Sequence, residues 1–75
     1  MSSFRSVTAI IEREGDSFVS LCPELDIASA GASIEEARTN LVEALTLFFE
    51  VADASEVERR FHSEVFVTQV EVPIG

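Results

Sequence analysis

The sequence predicts an α+β domain in the order β-β-β-α-β, and three stretches carry that prediction. Two runs rich in β-branched and aromatic residues, 4–13 (FRSVTAIIER) and 17–22 (SFVSLC), are separated by Gly15-Asp16, which is a hairpin signal. Ser33, followed three residues later by Glu36, forms a capping-box pattern at the head of an apolar stripe with helical period. Residues 64–72 (EVFVTQVEV) alternate and are rich in valine, as a strand requires.

Glycine at the first loop position suits a type II′ turn. Pairing Glu14 with Ser17 then sets Arg13 opposite Phe18, Ile11 opposite Ser20 and Ala9 opposite Cys22. One sheet face carries Val7, Ala9, Ile11 and Phe18; the other carries Phe4, Ile10, Val19 and Leu21. A single helix covers only one face, so the second apolar face predicts an interface. Pro23 cannot continue a central ladder, and Pro23-Glu24-Leu25-Asp26 reads as a turn into a short third strand, Ile27 to Ala30, ended by Gly31.

The helix is expected to begin at Ile34, with Glu35 and Glu36 suited to the positive end of its dipole. Ile34, Ala37, Leu41, Ala44, Leu45, Phe48 and Ala52 form its buried stripe. Leu47 falls almost opposite and joins Phe4, Ile10, Val19 and Leu21 as an expected oligomer contact. Residues 55–61 (SEVERRF) suggest a second short helix capped by Ser55, with Glu58 at the third position. The last strand, with Phe66, Val70 and Val72 on one face, should return by a right-handed crossover and lie parallel to the first. Pro73 and Gly75 end it.

With 75 residues, residues 1–75 make a single domain with one core. Such a core supplies roughly 3–5 kcal/mol of net stability, so a homo-oligomer, dimer or tetramer, is expected. Fourteen acidic side chains stand against five arginines and no lysine, a net charge of −9. That field repels phosphate backbones and anionic lipid, and it speeds encounter with a basic protein. Cys22 is the only cysteine, which excludes an intrachain disulfide. No stretch has signal-peptide or membrane-spanning length, and a cytoplasmic location is expected.

The segment LCPELDIASAGASIEEARTNLVEALTLFFE, residues 21–50, resembles the HicB-like antitoxin family in its Pro-Glu-Leu turn, the glycine before its helix and its Glu-Glu-Ala helix start. The hairpin at Gly15-Asp16 and the EVFVTQVEV stretch also fit, so the likeness covers nearly the whole chain. Ala30 and Ala32 depart from the more polar residues common there. The resemblance implies a curtailed ribonuclease-H-like sheet with one main helix packed on one face. It also implies an antitoxin that neutralises a small basic HicA-type ribonuclease toxin by covering its RNA-binding surface. Many members add a C-terminal DNA-binding module; this sequence ends after the last strand, so promoter binding is not expected. Within the turn, Glu24, Leu25 and Asp26 are the expected partner contacts. The alternative is a stand-alone oligomeric scaffold or regulatory subunit without a toxin.

A ribonuclease-H-like fold raises the question of metal-dependent phosphodiester cleavage, which needs several carboxylates converging on two divalent ions. Glu12, Glu36, Glu43 and Glu71 are scattered through the elements, with nothing basic beside them to hold substrate, so nuclease activity is the remote alternative. His62 is the only histidine, which leaves no second imidazole for a zinc set. Ser17, Ser20 and Ser29 suit capping and edge-strand roles better than nucleophilic ones. Three glycines make no phosphate cradle. No catalysis, cofactor or metal is expected.

Overall fold

The computed structural model describes residues 5–75, and Phe4 therefore lies outside the described residues. Three strands, β1 (Ile10–Glu14), β2 (Ser17–Cys22) and β3 (Ile27–Gly31), form an antiparallel sheet in the order β1-β2-β3, followed by α1 (Ile34–Val51) and α2 (Ala54–Arg60). The hairpin register is the expected one, with Glu14 opposite Ser17, Arg13 opposite Phe18 and Ile11 opposite Ser20. Gly15 has φ +63° while Asp16 does not enter the left-handed region, as a type II′ turn demands and a type I′ turn forbids. The ladder begins at Ile10, so Ala9 lies just outside it.

The helix starts where its cap places it. Ser33 accepts a hydrogen bond from the Glu36 N–H at 3.0 Å, and the Glu36 carboxylate accepts the N–H of Ala32 at 2.6 Å. The second bond reaches one residue further back than a standard capping box, but it satisfies an orphan donor in the same way. Ala37, Leu41 and Leu45 are buried along the expected stripe, whereas Ile34, in the first turn, is 57% exposed. Helix α2 is capped by Asp53 rather than Ser55. The Asp53 carboxylate accepts the Glu56 N–H, and Ser55 donates its hydroxyl to the same oxygen. Both residues can cap, and the carboxylate wins because it takes both donors at once.

The core comprises Cys22, Leu25, Leu41 and Leu45, with Val7, Ile27, Phe48 and Phe61 packed around it. Two polar ties bind helix to sheet. Buried Ser20 donates to the Ala37 carbonyl at 2.8 Å, and the Asn40 amide donates to the Ala30 carbonyl at 2.7 Å. At Gly31 a Cβ would lie 2.5 Å from the Ala37 nitrogen, so only glycine lets β3 run directly beneath the first turn of α1.

The fourth strand does not form. Glu64–Val72 has no ladder, and Phe66, Val67, Val70 and Val72 are 86, 64, 78 and 68% exposed. A strand is held by its neighbour's backbone and side chains rather than by intrinsic preference, and here no neighbour is paired with it. Among the described residues the sheet therefore has three strands and an unoccupied edge along β1.

Candidate partner-binding surfaces

The Pro23–Asp26 turn serves as an internal hub. The Leu25 N–H closes it on the Cys22 carbonyl at 3.3 Å, and Leu25 itself is core, 1% exposed. The Glu24 carboxylate accepts the Thr8 N–H at 3.0 Å and the Thr8 hydroxyl at 2.7 Å, and the Cys22 thiol donates to it at 3.5 Å. The turn's carbonyls hold the end of α2: Glu24 accepts the His62 N–H at 2.7 Å, and Leu25 accepts the Arg60 guanidinium at 3.2 Å. One turn thus joins the approach to β1, the core and the exit from α2.

Burial alone would push the Glu24 carboxyl up; the Thr8 hydroxyl and N–H outweigh it, and the net shift is downward from the ordinary 4.5. The Cys22 thiol is raised, chiefly by burial. Glu24 and Leu25 are therefore committed to the interior rather than to a partner, which corrects the expectation for two of the three turn residues. Asp26 alone of them faces solvent, in the left-handed region at φ +54°. No local signal marks Glu24 as buried, because its partner Thr8 lies sixteen residues away.

The outer sheet face carries the expected apolar residues, with Glu12 among them. Ile10 and Leu21 stand directly opposite each other in the register, each 36% exposed, beside Val19 and the exposed Ala28 and Ala30. Leu47, 58% exposed, projects from the solvent side of α1, on the other side of the molecule from that face. The five expected oligomer contacts are therefore not one patch: Ile10, Val19 and Leu21 share a surface and Leu47 stands apart.

Charge is distributed unevenly. Arg5, Arg13 and Arg60 lie over the rings of Phe61, Phe18 and Phe48 at 4.8, 4.8 and 5.2 Å. Among the described residues a single ion pair forms, Arg60 with Glu56 at 3.9 Å. Glu12, Glu14 and Asp16 on the hairpin, and Glu35, Glu43 and Glu50 on α1, are exposed. The carboxylates weighed for metal chemistry are dispersed: Glu12 shares the outer sheet face with Ile10, Glu36 is engaged at the cap, Glu43 lies on α1 and Glu71 in the unpaired segment. No group of three or more metal-ligating side chains occurs among the described residues. An open groove of 680 Å³, lined by Arg5, Phe49, Ala52, Val57, Phe61 and Ser63, lies where α1 and α2 meet. No helix among the described residues is long and apolar enough to cross a membrane. No family model, curated protein or solved structure matches the chain.

Proposed function

We propose that this protein is an antitoxin-type inhibitor that binds a small basic ribonuclease and blocks access of RNA to it. The reading rests on the residues 21–50 resemblance, and one observation carries it further: a net charge of −9 with a single internal ion pair among the described residues. Three of the five arginines stack on the protein's own rings, so the exposed carboxylates of the hairpin and α1 are left for a partner. Complementary charge of this kind raises the association rate and suppresses wrong partners. Inhibition is by occlusion, and it needs no catalytic group on this chain.

The reading predicts that a small Lys- and Arg-rich protein is encoded beside this gene, and the test is to produce that protein and measure its cleavage of a fluorescent RNA as this protein is added. Stoichiometric loss of cleavage is expected, along with relief of growth arrest on co-expression. Undiminished cleavage and unrelieved arrest would sink the reading. The second reading, an oligomeric scaffold without a toxin, is favoured by the exposed Ile10–Leu21 pair and predicts that no basic neighbour is encoded.

A further inference from the structure

The segment after α2 has the composition of a strand and none of its contacts. Phe66, Val70, Val72 and Ile74 alternate on one side, and all four are exposed, Ile74 at 98%. Chain of this kind, rich in valine and open to solvent, is a template for pairing. The sheet meanwhile ends at β1, whose outer edge has no partner among the described residues.

Two features match the segment to that edge. The segment departs from a fixed point, since the His62 N–H is held by the Glu24 carbonyl while the Glu24 side chain holds Thr8. It therefore leaves the body beside the start of β1. At about 3.3 Å per residue the eleven residues Glu64–Ile74 reach about 36 Å, roughly twice what the five residues of β1 require. The other sheet edge is a poorer site, because Asn40 already takes the Ala30 carbonyl on β3.

We infer that two copies of this chain exchange residues 64–74, each segment completing the sheet of the other by pairing parallel to β1. A second copy is the occupant because each chain carries an open β1 edge and a strand-like segment that its own sheet leaves unpaired, and a two-fold exchange satisfies both in both copies at once. The arrangement supplies the missing β-α-β crossover in trans and removes the apolar segment from water. It involves no basic partner, so it stands or falls separately from the inhibitory role.

Light scattering on the full chain should give twice the 8.2 kDa of one copy. In the Val67→Pro/Val70→Pro double variant the two prolines fall on opposite strand parities, so one of them removes an N–H facing β1 whatever the register. That variant should have half the wild-type mass, with helical circular dichroism retained. A filtered NOE experiment on a mixture of isotope-labelled and unlabelled wild-type chain should show contacts between the Val67 and Val70 methyls of one copy and the Ile10–Glu14 amides of the other. A wild-type monomer, a double variant that remains dimeric, or segment-to-β1 contacts found only within one chain would each overturn the proposal.

Discussion

Glu24 keeps its charge in a nearly buried position because Thr8 gives it two donors, and that makes the residue sensitive to pH. Its folded pKa lies below the ordinary 4.5, so the unfolded chain binds the proton more tightly than the folded one. The stabilisation is fully present above about pH 4.5 and is lost as pH falls through the lowered folded value. Glu24→Gln should cost about 1–3 kcal/mol at neutral pH, because a hydrogen bond to a buried charge is lost. Urea titrations at pH 7 and below pH 4 should show the gap between variant and wild type narrowing in acid; a constant gap would contradict the assignment. Cys22 reports on the same hub. Its buried, raised thiol should alkylate slowly in the folded protein and faster in Glu24→Gln, which a mass-spectrometric labelling time course measures.

At the scale of elements, β3 and α1 approach each other backbone to backbone at Gly31. Gly31→Ala puts a methyl group against the backbone of Glu36 and Ala37, and the helix start cannot yield without losing its cap. A loss of about 1–3 kcal/mol is expected, read from the urea midpoint. Ser33→Ala removes the acceptor for the Glu36 N–H and should cost about 1 kcal/mol. Sequence alone located these elements well: the hairpin register followed from one Gly-Asp pair, and the first turn of α1 from one Ser-x-x-Glu spacing, because both are set by contacts within four residues. Residues 64–72 have the alternation of a strand without its pairing, because alternation reports what a segment can bury and says nothing of what lies beside it. The cap of α2 shifted by two residues because Asp53 and Ser55 are both good caps and only geometry chooses between them.

For the whole molecule, two kinds of association should respond to salt in opposite directions. Two copies at −9 each repel, so the exchanged dimer should tighten as ionic strength rises and its dissociation constant should fall. A complex with a basic partner gains from the same charge and should loosen. Sedimentation equilibrium of the chain alone, and titration of the basic protein into it, at about 0.01 M and 0.15 M salt would separate the two. A partner complex unaffected by salt would remove charge as its driving force.

Short-range chemistry in the sequence determined the strand-strand-strand-helix order, the hairpin register, the start of α1 and the acidic, lysine-free surface. Tertiary structure decided the rest. It turned Glu24 and Leu25 inward, divided the apolar residues between the outer sheet face and Leu47, and left residues 66–74 unpaired and exposed. The division follows from range: caps and turns are satisfied by residues a few positions away, whereas burial and strand pairing depend on atoms that only the folded chain, or a second copy of it, brings near.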